Sequence, residues 1–180
     1  FNNLGLVQSQ LRQVVDAGDS FRQALALQER LILRDPSDID LSSSLGGIYN
    51  NLGIVSEELG KLTDAGTHYR NAVKYQRRAH SSAPDISRFR EFLSKHYYNY
   101  GRVMRRLGRA DEALRAALAR KDLWPGNPER LVTVAEELAQ TGTLLNGRKN
   151  AELTSEDCAR KAIDTLEQAI AAGLASPADL

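Results

Sequence analysis

Between residues 49 and 59 the bulky apolar residues Tyr49, Leu52, Val55 and Leu59, with Ile54 beside them, recur every three or four positions. That spacing makes one stripe along a helix, here termed helix A. After the break Gly60-Lys61-Leu62, Thr63 is placed to cap a second helix, helix B, whose buried side is Ala65, Tyr69, Ala72 and Val73. Pro36 and Pro84 put the ends of the B helices near Arg34 and Ser81. Residues Asp38 to Ile48 then extend helix A backwards, although Ser42-Ser43-Ser44 and Gly46-Gly47 are poor helix formers. The resulting helix of about 22 residues would be about 33 Å long.

The pattern is copied along the chain. Phe1-Asn2-Asn3-Leu4-Gly5 returns as Tyr49-Asn50-Asn51-Leu52-Gly53 and, loosened, as Tyr97-Tyr98-Asn99-Tyr100-Gly101, a period of 48 residues. Val7/Val55, Leu11/Leu59, Asp16/Asp64, Ala17/Ala65, Gly18/Gly66, Arg22/Arg70 and Ala24/Ala72 are identical and in register, and the third copy keeps Val103, Leu107, Gly108 and Ala113. A repeat of this length means stacked supersecondary units, each burying its apolar face on the next. Glycine inside a helix costs about 1 kcal/mol relative to alanine, so its return at Gly5, Gly53 and Gly101 points to a packing need. Gly53 and Ala65 lie where antiparallel helices would cross, and small side chains let the axes approach to about 8 to 10 Å. Phe21 and Tyr69 are expected to fill the space between successive hairpins.

Gly53, Ala65, Tyr69 and Ala72 stand at the small, alanine, aromatic and alanine positions of the tetratricopeptide repeat, and Pro125 stands at its closing proline in the third copy. The chain resembles that family, with two departures. The aromatic usual in helix A three residues after the small position is Gln8, Ser56 and Met104 here, so its contact must be replaced. The period also exceeds the family's usual length of about 34 residues by about 14. Tyr49 to Gly53, Tyr69-Arg70-Asn71-Ala72-Val73 and the tail Ala162 to Leu174 resemble the long-period repeats downstream of bacterial serine/threonine kinase domains and in kinesin-light-chain-like proteins. No kinase motif is present. The resemblance implies an all-α fold, a right-handed α-solenoid of antiparallel helix hairpins with about seven or eight helices. It also implies a single repeat domain over residues 1–180, with units near 1–48, 49–96 and 97–127 and a degenerate unit at 128–175.

In the last unit Asn127-Pro128-Glu129 reads as N-cap, first-turn proline and first-turn acid of a helix reaching about Leu144. Asn146 to Leu153 is a polar loop. Thr154-Ser155-Glu156-Asp157 caps a helix through about Ala172, and Ser176-Pro177 is placed to begin another. Phe1 occupies a mid-helix position, so the chain is expected to be an excised part of a larger protein.

Hydrophobic residues make up 42% of the chain and charged ones 26%, with no apolar run near the roughly 20 residues that span a membrane. A cytoplasmic location without membrane contact is expected, and there is no signal peptide. The single cysteine, Cys158, has no internal disulfide partner and is expected in the core. Net charge is +1 overall but −2 over residues 1–48, +3 over 49–96, +4 over 97–127 and −4 over 128–180. The basic band centres on Arg102, Arg105, Arg106 and Arg109.

In the family that the chain resembles, helix A lines the concave side, and the positions three before, one after and four after the small residue project into the groove. Carried over, these are Asn2, Leu6 and Ser9, then Asn50, Ile54 and Glu57, then Tyr98, Arg102 and Arg105, with Gly47 and Lys95 one turn earlier. Asparagine offers donors and an acceptor to an extended peptide backbone whatever its side chains. The expected function is a protein-interaction scaffold: Asn2 and Asn50 in an amide ladder, and Lys95, Arg102 and Arg105 receiving acidic side chains or a terminal carboxylate. Asn3, Asn51 and Asn99 are read as stabilising helix contacts. A carboxylate clamp of the chaperone-docking kind does not fit, because Leu6 and Ile54 occupy positions where polar clamp residues are needed.

Three other classes are weighed. Self-association into a dimer through the solenoid ends is the first alternative, since a first hairpin without a neighbour exposes Phe1, Leu4 and Phe21. RNA binding through the arginine band ranks below it, because Asp111 and Glu112 interrupt the band and the isoelectric point is only about 8.1. Catalysis ranks last: His68, His80 and His96 lack partners at ligand spacing, and Gly46-Gly47 follows no strand. No catalytic residue, metal or cofactor is expected, and Trp124 reads as a plug between the third and fourth hairpins.

Overall fold

The computed structural model describes residues 1–146 and 153–174. Most of the loop expected over Asn146 to Leu153, and the helix start expected at Ser176-Pro177, lie outside the described residues. Among the described residues there are eight helices and no strand: α1 (Asn2–Gln10), α2 (Val14–Arg34), α3 (Ile39–Glu58), α4 (Leu62–Ser82), α5 (Ser87–Arg106), α6 (Ala110–Lys121), α7 (Pro128–Thr143) and α8 (Ser155–Ala171). The extensive contacts run between helices adjacent in the chain, the packing rule of an α-solenoid.

The long A helix forms as expected: α3 is one helix of 20 residues. Of its weak formers, Ser42, Ser43 and Gly46 are buried, and both serines are hydrogen-bonded. The Asp38 carboxylate accepts from the Leu41 N–H at 2.8 Å, Ser42 Oγ donates to the Asp38 carbonyl at 3.1 Å, and Ser43 Oγ donates to Gln76 Oε1 at 3.0 Å. Fully buried Gln76 in turn donates through Nε2 to the Phe89 carbonyl at 3.1 Å, tying α3 and α4 to the start of α5.

The start of α4 differs from expectation. Thr63 lies inside the helix, which begins at Leu62 with Lys61 as N-cap and no side-chain cap. The turn that leads into α4 is set by the backbone. Gly60 sits at φ +73°, and the N–H groups of Leu59, Gly60 and Lys61 donate to the carbonyls of Val55, Glu57 and Ser56 at 3.0, 2.9 and 2.8 Å. The same three bonds recur at Leu11, Arg12 and Gln13 and at Leu107, Gly108 and Arg109, so one turn joins helix A to helix B in all three copies.

The recurring glycine serves the aromatic of helix B. A Cβ on Gly53 would lie 2.5 Å from the Tyr69 ring, and one on Gly5 would lie 2.6 Å from the Phe21 ring. The ring thus fills its own hairpin first. Phe21 also reaches the next one, in a core with Ala17, Ala24, Ile48, Leu52 and Val55. At the third copy the equivalent of Phe21 and Tyr69 is Ala117, and a Cβ on Gly101 would meet Ala116 only at 3.4 Å. Where helix A lacks its aromatic, Gln8 Oε1 accepts from Ser20 Oγ at 2.7 Å, while Ser56 and Met104 are buried.

The chain divides into two compact units, Phe1–His96 and Tyr97–Leu180, with the boundary inside α5. In the first unit α1, α2, α3 and α4 pack in chain order, and α2 and α3 share the Phe21 core. In the second, α6, α7 and α8 bury Ala110, Leu114, Ala117, Val134, Leu138, Leu145, Cys158 and Ala162 together. Burial pushes the Cys158 thiol up. Trp124 is buried beneath the Arg130 guanidinium, 4.8 Å from its ring centre. The helix ends read from sequence hold here: Asn127 Oδ1 accepts from the Arg130 N–H at 2.9 Å, and Thr154 with Asp157 forms a capping box.

Candidate functional site

Within the first unit the A helices α1, α3 and α5 line a groove whose cavity measures about 510 Å³. Its walls are built by the repeat. Asp40 and Arg88, Ser44 and Phe92, and Gly47 and Lys95 are pairs separated by one 48-residue period, set on α3 and α5. Each helix contributes positions i, i+4 and i+7, which share one face.

Of the expected groove residues, Asn2, Leu6, Gly47, Asn50 and Lys95 line this cavity, and Ser9 does not. Asn51 Nδ2 donates to Asn2 Oδ1 at 3.3 Å, so the amide pair that links α1 and α3 uses Asn51, while Asn50 is buried in the wall. Ile54 and Glu57 are not among the lining residues; the Glu57 carboxylate accepts from the Tyr69 hydroxyl at 2.7 Å. Tyr98, Arg102 and Arg105 belong to the second unit.

The groove carries little net charge. Arg88 pairs with Asp40 at 2.9 Å, with both side chains exposed, a contact worth about 0 to 1 kcal/mol. Lys95 is an exposed cation. Beside it His96 is only 3% exposed, and among the described residues neither ring nitrogen has a partner. Burial, reinforced by Lys95, lowers its pKa to about 3, so the ring is neutral near pH 7. Leu6, Ile48 and Phe92 supply the apolar part of the lining.

The helix A positions carried over from the shorter repeat miss Gln28, Asp40, Ser44, Phe92 and His96. Those positions reach back from the glycine only to Gly47 and Lys95, whereas the longer period adds wall further toward the N-terminus of helix A, at Asp40, Ser44 and Phe92. Aligning 40–51 with 88–99 exposes the stripes at once. Gln28 comes from helix B, which that count does not cover.

In the second unit Tyr98, Arg120, Thr133, Glu136, Glu137 and Gln140 line a cavity of about 290 Å³. Arg120 and Glu137 form a buried ion pair, and the Tyr98 ring lies 5.3 Å from the Arg120 guanidinium. Burial raises the Glu137 carboxyl, opposed by Arg120 and Arg105. Burial also lowers the half-buried Arg105, which faces Glu137, Tyr98, Arg102 and Arg120. These groups satisfy a core more than they offer charge to a partner.

Among the described residues no group of three or more His, Cys, Asp or Glu side chains could hold a metal ion, and no helix is long and apolar enough to cross a membrane. No protein-family model and no curated protein matches the sequence. Among solved structures the chain is similar to a crystal structure of MamA protein, at 16% identity and a TM-score of 0.47, covering 97% of this chain and 76% of that one. It is also similar to a second crystal structure of MamA, at 13% identity and a TM-score of 0.34, covering 96% and 95% of the two chains.

Proposed function

We propose that the chain is a protein-interaction scaffold whose first unit binds an extended peptide segment of a partner protein in the groove between α1, α3 and α5. The observation that carries this is the cavity of about 510 Å³ lined by three successive A helices, with Asn2 and Asn50 equivalent on α1 and α3 and the three pairs named above equivalent on α3 and α5. A repeated wall of amides and hydroxyls suits a repeated backbone: Asn2, Asn50, Asn51, Ser43 and Ser44 present donors and acceptors at intervals, and Leu6, Ile48 and Phe92 bury side chains. Lys95 favours a neutral to mildly acidic segment. A regulatory role within a larger protein, such as one carrying a kinase domain, suits a module of this kind.

The test uses Ser44→Arg, a change at an exposed lining position that fills the groove without touching the core. Binding of a display-selected peptide pool is expected to fall at least about tenfold with thermal stability unchanged, a loss of about 1.4 kcal/mol. Undiminished binding by the folded variant would remove the groove from the account.

A second reading, self-association, is favoured by one observation. Leu52 and Val55 are 2% and 3% exposed against α2, whereas their repeat equivalents Leu4 and Val7 on α1 are 49% and 51% exposed. Sedimentation velocity of the wild type against Leu4→Ser/Val7→Ser decides: a wild-type dimer lost in the variant supports this reading, and a monomer in both refutes it.

A further inference from the structure

We propose that Gly47 on α3 is the seat of an aromatic side chain supplied by the bound segment, so that the groove selects a segment carrying phenylalanine or tyrosine over one carrying leucine. The inference rests on the reading of the groove as a peptide site and names what that site reads.

Gly47 is the starting point because the fold has no use for it. It lies inside α3 with no left-handed φ, where alanine or leucine makes the better helix. Packing does not call for it either: a Cβ on Gly47 would meet nothing within 4 Å, whereas one on the adjacent Gly46 would meet Gln76 Oε1 at 3.1 Å, and Gly18 and Gly142 also have neighbours at 3.1 Å. Nor does the repeat, which places Lys95 at the equivalent position of α5. What the glycine does is leave the wall of the cavity open at a half-buried point that solvent reaches.

The chain itself shows what such an opening holds. Twice a glycine of an A helix lies beneath an aromatic ring, Gly5 under Phe21 and Gly53 under Tyr69, with the ring 2.6 and 2.5 Å from where a Cβ would stand. Bare backbone lets a flat ring lie against the helix. Gly47 is a third bare patch, and among the described residues no ring covers it.

The facing wall decides in favour of a ring over an aliphatic side chain. The Arg88–Asp40 pair at 2.9 Å sets equivalent faces of α3 and α5 alongside, and further along those faces Ser44 and Gly47 meet the level of Phe92 and Lys95. Phe92 is 42% exposed while lining the cavity, and Lys95 is exposed beside it. A ring over Gly47 gains Phe92 as an aromatic neighbour and the Lys95 ammonium as a cation near its face. Leucine gains the burial and neither of these.

The experiment uses three pools of acetylated, amidated hexapeptides, each with one fixed residue, Phe, Tyr or Leu, and the other positions randomised over alanine and polar residues. Fluorescence anisotropy with the full chain is expected to show the Phe and Tyr pools binding about fivefold more tightly than the Leu pool. Gly47→Leu fills the seat: it should raise the urea midpoint, because leucine is the better helix former and meets no neighbour, while levelling the three pools. A merely structural glycine would move stability the other way. In the wild type, ring current should shift the Gly47 Hα resonances upfield on adding the Phe pool and not the Leu pool, a readout that does not depend on any variant. Leucine bound as tightly as the aromatic residues, a preference that persists in Gly47→Leu, or a lowered urea midpoint in that variant overturns the proposal while leaving the groove. Binding by no pool overturns the groove reading and the proposal with it.

Discussion

At position 12 the chain places arginine where the other two copies of the same turn place glycine. Arg12 has φ 61°, against 73° at Gly60 and 71° at Gly108, and makes the same backbone bonds. A left-handed conformation costs a residue with a Cβ about 1 to 2 kcal/mol, so Arg12→Gly is expected to raise stability by about 1 kcal/mol in urea unfolding. The helix glycines predict the opposite. Gly53→Ala drives a methyl into the Tyr69 ring and should cost about 1 to 3 kcal/mol, whereas Gly101→Ala, with 3.4 Å of room, should be neutral or gain up to about 1 kcal/mol in helix propensity. Equal effects at the two sites would show that the ring is not what the glycine serves. His96 adds a pH term. Its folded pKa of about 3 lies below the ordinary 6.5, so the unfolded chain takes up a proton that the folded chain refuses. The stability is fully present above about pH 6.5 and is lost as pH falls toward 3, by about 1.4 kcal/mol per unit, with His68 and His80 shifted in the same direction. Urea unfolding at pH 7 and pH 5 should lose about 2 kcal/mol from His96, and a His96→Phe variant should lose that much less.

Between elements, the two units are fastened by different chemistry. In the first, aromatic rings sit on glycines and Gln76 bonds Ser43 and the Phe89 carbonyl. In the second, with alanine at position 117, α6 and α7 are joined by the buried Arg120–Glu137 pair. Removing one member strands the other. Glu137→Ala is expected to cost about 3 to 5 kcal/mol, while Arg120→Met with Glu137→Leu should recover most of it, because the pair's desolvation is avoided. A double variant as unstable as the single one would mean that the geometry of the pair, not its charge, holds α6 to α7. At the C-terminal helix, Thr154→Ala removes the hydroxyl that accepts from the Asp157 N–H at 3.1 Å and should cost about 1 kcal/mol.

Over the chain as a whole, two of the four arginines of the basic band face acidic groups of the chain itself. Arg105 is half-buried facing Glu137, and Arg109 lies 3.7 Å from Glu112. Labelled single-stranded RNA is therefore expected to give no mobility shift even at low salt; a shift whose affinity falls steeply with salt would reopen that reading.

The helices and their order are legible in the chain alone. A 48-residue period with apolar spacing of three to four permits little but stacked hairpins, and Pro36, Pro84, Asn127 and Thr154 mark ends through chemistry local to the chain. Asn2, Leu6, Gly47, Asn50 and Lys95 were legible as groove residues once the resemblance supplied the face, since the rest of a helix face follows from spacing. The rest follows from packing in three dimensions. Thr63 is not the cap because the glycine turn starts the helix at Leu62, and Gly53 is explained by a ring 16 residues away. Asp40, Phe92 and His96 become one site because packing sets α3 beside α5. Burial, which leaves His96 neutral and unpartnered, is a property of neighbours distant in sequence, and no spacing along the chain encodes it.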